Sequence, residues 1–191
     1  MFALQSLFFL AFPALIAGTP VSTALAARAL PGNFVLFAYG EGIGGVPIFT
    51  SGGQAFLGNS SKVDDAEAAP VEFSSGTGES LVGSPNATAP EKTPTWSNLT
   101  LVIPKPEATL HQVEFTNSTP GDNVSASGFV FYGYFLLHKT DTSLNSMWYA
   151  IPSEHEDVWS LGWNSTGEET EGTVLLTLKA TEPSQGTSPT L

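Results

Sequence analysis

Three histidines, eighteen carboxylates and no cysteine make up the chemical inventory of this 191-residue chain. His111, His138 and His155 stand far apart, and none has the H-x-H or H-x-x-x-H spacing that turns two imidazoles toward one metal. Glu154-His155-Glu156-Asp157 gathers ligand types, but the same residues make an ordinary solvated turn. The acidic groups at Asp64-Asp65-Glu67 and Glu168-Glu169-Glu171 lack the D-x-D-x-D-G order of a calcium loop. Thiol catalysis, zinc–thiolate sites and iron–sulfur clusters are excluded because there is no cysteine to supply them. A carboxylate pair for glycoside hydrolysis needs no proximity in sequence, so the acids neither establish nor remove it. No G-x-S-x-G elbow is present, and Gly162-Trp163-Asn164-Ser165-Thr166-Gly167 is first a glycosylation sequon. Gly40, Gly42, Gly44 and Gly45 have the look of a phosphate loop. No Lys-Ser/Thr pair closes it, however, and Glu41 inside it would repel phosphate, so a hairpin turn is expected. No catalytic residue, metal ligand or cofactor is assigned.

Binding chemistry is better represented. Trp159 and Trp163 alternate on one predicted strand and would present a flat platform for stacking on sugar rings; the competing reading puts them in the core. Six of the eight asparagines stand in N-x-S/T sequons: Asn59, Asn86, Asn98, Asn117, Asn123 and Asn164. With Ser and Thr making up about a quarter of the chain, chance would give about two, so the excess suits a chain that meets the glycosylation machinery. An occupied asparagine must face solvent, so these positions also mark loops and strand edges.

The N-terminus agrees with that route. Leu4–Ala17 is apolar around Leu7-Phe8-Phe9-Leu10, and Ala24-Leu25-Ala26 forms a small-residue cleavage site. Residues 1–26 therefore read as a secretory signal peptide, too short and too broken by Pro13 to span a bilayer. No other run is long enough to span, and the polar tail 184–191 lacks the hydrophobic end of a GPI signal. Residues 27–183 are expected to form one domain, large enough to fold on packing alone without disulfides. The net charge is −12, and six basic residues are scattered singly, so nucleic acid and anionic membranes are poor partners.

The elements that would position these residues are short strands. Phe34–Tyr39, Val46–Thr50 and Gln54–Leu57 are apolar runs separated by glycines. Val71–Phe73, Trp96–Ile103, Thr109–Thr116, Met147–Ile151, Val158–Trp163 and Thr173–Thr181 follow, with Pro, Gly and Asn between them. Phe129–His138 (FVFYGYFLLH) is the most apolar run and is expected to be a central strand buried on both faces. Residues 74–95, rich in Ser, Gly, Thr and Pro, are expected to be a long surface loop. No window keeps helical periodicity between breakers. The fold expected is all-β: a single-domain antiparallel β-sandwich or barrel with long Gly/Ser/Pro loops.

Ala38–Phe49 carries the pattern AYG-x-GIGG-x-P-x-F, followed by G-x-A-x-x-G at Gly53–Gly58. With F-x-x-x-AYG from Phe34, W-Y-A-x-P at Trp148–Pro152 and L-x-W-N at Leu161–Asn164, the chain resembles a group of small secreted proteins of filamentous fungi. Its layout is also similar to fungal cell-wall proteins of the phialide-development type, which carry cysteines that this chain lacks. The resemblance implies an extracellular or wall-associated β protein and brings no catalytic residue with it. The expectation is a secreted, N-glycosylated protein of the fungal surface or culture fluid, acting by binding or structure. A carbohydrate-binding or carbohydrate-active wall-directed module is the first alternative. A host-directed effector is the second, although effectors are often rich in the cysteine missing here. Expected partners are cell-wall polysaccharide or another extracellular protein.

Overall fold

The computed structural model of this protein describes residues 32–88, 92–108, 111–164 and 171–182. The signal segment 1–26 and the tail 184–191 lie outside the described residues. Within them the chain is nearly all strand, with one turn of 3-10 helix and no α-helix.

Strands β1 (Phe34–Val35) and β2 (Phe37–Gly40) flank the fully buried Leu36, and β3 (Ile43–Ser51) follows. The four-glycine stretch between them is not an open loop. The turn is Glu41-Gly42 alone, and Gly44 and Gly45 already lie in β3. Ala38 pairs with Val46 and Tyr39 with Gly44, so Gly45, at φ +85°, is the extra residue of a bulge. That conformation is open to glycine at little steric cost. After the Gly52-Gly53 turn comes β4 (Gln54–Gly58), then a 3-10 turn at Ser60–Lys62.

Strands β5 (Ala69–Ser75) and β6 (Leu81–Pro85) form the next hairpin, with Val71–Ser75 in register with Pro85–Leu81. Residues 74–95 are therefore not one surface loop, because a full strand lies inside them. Its composition hid it. Gly83 is the residue whose missing side chain lets Val71 and Phe115 close in, and a Cβ there would lie 2.6 Å from Val71 Cγ1. Strands β7 (Leu99–Pro104), β8 (Glu114–Thr116) and β9 (Val124–Ser125) follow. Trp96 precedes β7 rather than starting it, and its indole N–H donates to the Glu67 carbonyl at 2.8 Å.

The expected central strand Phe129–His138 is instead a hairpin of β10 (Phe129–Tyr132) and β11 (Phe135–Lys139). Gly133, at φ +61°, is the first of two turn residues, where a type II′ hairpin calls for glycine. This hairpin ends the sheet path; it is an edge, not a centre. After β12 (Leu144–Asn145), strands β13 (Trp148–Pro152) and β14 (Val158–Trp163) form a second aromatic hairpin, and β15 (Val174–Lys179) ends the described chain.

The expected sandwich or barrel is a barrel. Ten strands, in the order β15-β13-β14-β4-β8-β7-β6-β5-β3-β2, close because β2 pairs with β15, and the remaining strands attach outside the ring. Closure removes the exposed sheet edges within the ring. One core fills the interior, with Leu36, Leu57, Phe73, Leu101, Leu136, Trp148, Leu161 and Leu178 all buried within it.

A smaller cluster lies outside the barrel wall. Phe49, Ala68 and Val158 are buried there, with Phe56 and Val63 packed against them. The cover is the segment 59–68, fastened by Lys92. The Lys92 ammonium donates to the carbonyls of Ser60, Val63 and Asp65 at 3.1, 2.6 and 2.7 Å, much as a bound cation would gather them. Thr95 adds a backbone hydrogen bond to the Glu67 carboxylate at 2.7 Å. Polar carbonyls that the fold pulls partly out of water are thereby satisfied.

Candidate binding surface

The two tryptophans singled out in the sequence do not share an open face. Trp163 is 2% exposed and packs edge-on against the fully buried Trp148, with centroids 4.6 Å apart. The Trp148 indole N–H donates to the Leu136 carbonyl at 3.1 Å, which ties the second aromatic hairpin to the first. As a stacking platform Trp163 is therefore ruled out by burial; it is a core residue. Trp159 is half-buried and lines a cleft of about 530 Å³ at the barrel rim, together with Val46, Pro47, Pro70, Asn59, Lys62 and Asp157. Lys62 and Asp157 form an ion pair at 2.7 Å, and Lys62 also donates to the Glu156 carbonyl at 3.1 Å.

Exposed aromatics gather elsewhere, on the first hairpin. Tyr132 is 50%, Tyr134 51% and Phe135 40% exposed. Strand register extends this surface across the outside of the sheet. Tyr132 pairs with Phe135, Phe135 with Lys179, Lys179 with Phe37, and Phe37 with Pro47. Five strands at the usual spacing make this row roughly 19 Å wide, and its last residue, Pro47, also lines the Trp159 cleft. The row is anchored by Lys179, whose ammonium lies 4.7 Å from the Tyr39 ring centroid and 5.0 Å from that of Phe135. The Tyr39 hydroxyl in turn donates to the Thr181 carbonyl at 3.0 Å. A cation held over two rings fixes their orientation and offers N–H donors beside apolar faces.

Sequence reasoning missed this row because the run looked too uniform to have a wet face. The available signal was Gly133. A hairpin turn there puts Phe131 and Leu136 on one face, buried, and Tyr132 and Phe135 on the other, exposed.

The sequon asparagines fall into different settings. Asn59, Asn98, Asn117 and Asn123 are exposed and Asn86 is half-exposed. The Asn86 side-chain oxygen accepts from the Thr88 N–H at 3.0 Å and hydroxyl at 2.6 Å, which folds that sequon on itself. In the same way Asn59 Oδ1 accepts from the Ser61 N–H at 2.9 Å. Asn164, by contrast, is only 9% exposed, with its backbone N–H bonded to Met147 O at 3.1 Å. It lacks the solvent face that an attached glycan needs.

The histidines are not brought together. His138 lies edge-on to Phe129 and Trp163, with ring centroids at 5.8 and 5.5 Å. Its Nε2 is 3.1 Å from the Ser127 carbonyl, so that nitrogen carries the hydrogen. Burial lowers the His138 pKa below the ordinary histidine value, and the Ser127 carbonyl opposes this more weakly. The His155 ring lies 3.8 Å from the Glu154 carboxylate, in its own turn. Among the described residues no three His, Asp or Glu side chains are grouped so as to hold a metal ion. Asp65 has a lowered pKa, held down first by the Ser51 hydroxyl and then by the Glu67 backbone N–H. Both bonds fasten the 59–68 cover, whose outer side forms a shallow cleft lined by Asp64, Asp65 and Lys92.

No protein-family model, no curated protein and no solved structure matches this chain.

Proposed function

We propose that this protein is a secreted, N-glycosylated binding protein of the fungal cell exterior that takes extracellular polysaccharide on its outer aromatic row. The observation that carries the reading is the register-linked strip Tyr132–Phe135–Lys179–Phe37–Pro47, in which Tyr132 and Phe135 are 50% and 40% exposed. Exposed aromatic rings in a row lose little conformational entropy when a pyranose stacks on them, and the tyrosine hydroxyls stay available to the ligand. The spacing between strands is close to one sugar residue of an extended β-linked chain, so successive residues along a polymer meet successive strands. The acidic surface, with a net charge of −12, favours a neutral polymer over an anionic one. The signal-like N-terminus, the sequons and the resemblance to small secreted fungal proteins support the location.

The test is co-sedimentation of the glycosylated protein with insoluble chitin, β-glucan and cellulose, alongside Tyr132→Ala and Phe135→Ala. Retention on a polysaccharide that falls at least tenfold in the double variant supports the reading. Equal retention of wild type and variant, or none on any polymer, sinks it. In that case an extracellular protein partner takes its place, for which Leu175, 72% exposed on β15, would be the contact to mutate.

A further inference from the structure

We propose that the glycan carried by Asn59 folds back into the Trp159 cleft of its own chain, with its first N-acetylglucosamine stacked on the indole. This rests on the reading that the chain is secreted and glycosylated, and it adds a site for one particular glycan. Attachment joins the Asn59 amide nitrogen to C1 of that sugar. The nitrogen loses one proton, and the lipid diphosphate that delivered the oligosaccharide leaves.

Three observations carry the proposal. Asn59 is exposed and is itself part of the cleft wall, so a sugar linked to it begins at the cleft mouth. Its Oδ1 is engaged by the Ser61 N–H at 2.9 Å, which pins the side chain and leaves Nδ2 as the atom turned away from that bond. The cleft is also divided as an N-acetylglucosamine is divided. Val46, Pro47, Pro70 and Trp159 supply apolar surface, and the Lys62–Asp157 pair supplies a donor and an acceptor at 2.7 Å from each other. A volume of about 530 Å³ has room for a pyranose with its acetamido group. Trp159 packs against the core, so the sugar would complete a contact that the polypeptide leaves open.

The same geometry separates Asn59 from the other sequons, because none of Asn98, Asn117 and Asn123 borders this cleft. Their glycans would extend freely. A docked sugar also covers part of Trp159 and presses on the 59–62 turn that Lys62 ties to Glu156 and Asp157.

The experiment uses the full chain secreted from a glycosylating host. Mass spectrometry reads occupancy at each sequon, and the rate of release by an endoglycosidase is followed under native conditions. Release at Asn59 is expected to be roughly fivefold slower than at Asn123, and to become equal in Trp159→Leu. Acrylamide quenching of tryptophan should rise in Ser61→Ala, which removes the sequon hydroxyl needed for attachment while keeping Asn59 and the backbone N–H of residue 61 in place. That second variant alters only an exposed side chain and guards against a Trp159 variant that fails to fold. An occupied Asn59 released as fast as Asn123, with quenching unchanged in Ser61→Ala, overturns the docking and leaves the glycoprotein reading standing. An empty Asn59 beside occupied sequons also overturns it. A chain with no sequon occupied removes both.

Discussion

The two aromatic hairpins, β10–β11 and β13–β14, are made of similar residues and end in opposite environments. FVFYGYFLLH, the more apolar by inspection, lies at the end of the sheet path and exposes Tyr132, Tyr134 and Phe135. WYAIP and VWSLGW contain serine, glycine and proline, yet they bury Trp148, Tyr149, Leu161 and Trp163. The difference lies in what each hairpin pairs with. Strand β13 is flanked by β14 and β15, and β14 by β13 and β4, so both belong to the closed ring and turn one face into the packed core. Among the described residues strand β10 pairs only with β11. Its hairpin covers the barrel with one face, through Phe129, Phe131 and Leu136, and keeps the other wet. Glycine content marks the contrast as well. Gly162 is a close-approach residue, since a Cβ there would lie 2.5 Å from the Tyr149 ring, whereas Gly133 has open space around it and serves only to turn the chain. The residue types of a segment thus say how much apolar surface it carries, and closure decides which of that surface is buried.

That contrast can be broken most sharply at neighbouring residues of one strand. Phe131 is 7% exposed and meets Phe34 edge-on at 5.2 Å, while Tyr132 beside it faces out. Phe131→Asp would bury an unpaired carboxylate and is expected to abolish secretion of folded protein. Tyr132→Asp should secrete and melt within a few degrees of wild type. Equal damage from both would mean that the two faces are not distinct.

The second hairpin should be costlier to truncate than the first. Trp163→Ala removes a core ring and is expected to lose about 3–5 kcal/mol in denaturant titration, against less than about 1 kcal/mol for Tyr132→Ala. A reversed order would place the core on the wrong hairpin.

The link between the hairpins is tested by Trp148→Phe, which keeps most of the ring and deletes the N–H that reaches Leu136 O at 3.1 Å. About 1–3 kcal/mol is expected, the cost of an unsatisfied buried carbonyl together with the lost ring volume. Hydrogen exchange should quicken in β11 more than in β4.

The smallest effect is a slope with pH. His138 belongs to the first hairpin and leans on Trp163 of the second, and burial lowers its pKa from 6.5. Between the unfolded value and the lower folded one, the unfolded chain binds more protons, so stability falls as pH drops below about 6.5. His138→Asn should flatten that part of the stability–pH curve, and an unchanged slope would mean that His138 titrates as it does in the unfolded chain.

Much of this protein was determined by its sequence alone. Apolar residues at every second position, Trp159, Leu161 and Trp163 and then Val174, Leu176 and Leu178, located β14 and β15, because a period of two residues reads as a strand. Glycine and proline punctuation ruled out long helices, and the empty cysteine count meant that packing must hold the domain. The tertiary structure alone decided which aromatic face is dry. Alternation assigns residues to two faces but cannot say which of them a distant strand will cover. The pairing of β2 with β15, far apart in the chain, sets the inside of the barrel. It puts Trp163 in the core, leaves Trp159 at the rim and turns Tyr132 and Phe135 outward. Strand β6 was hidden for a related reason: Gly83 contributes to packing by what it lacks, and a missing side chain has no hydrophobic signature to read.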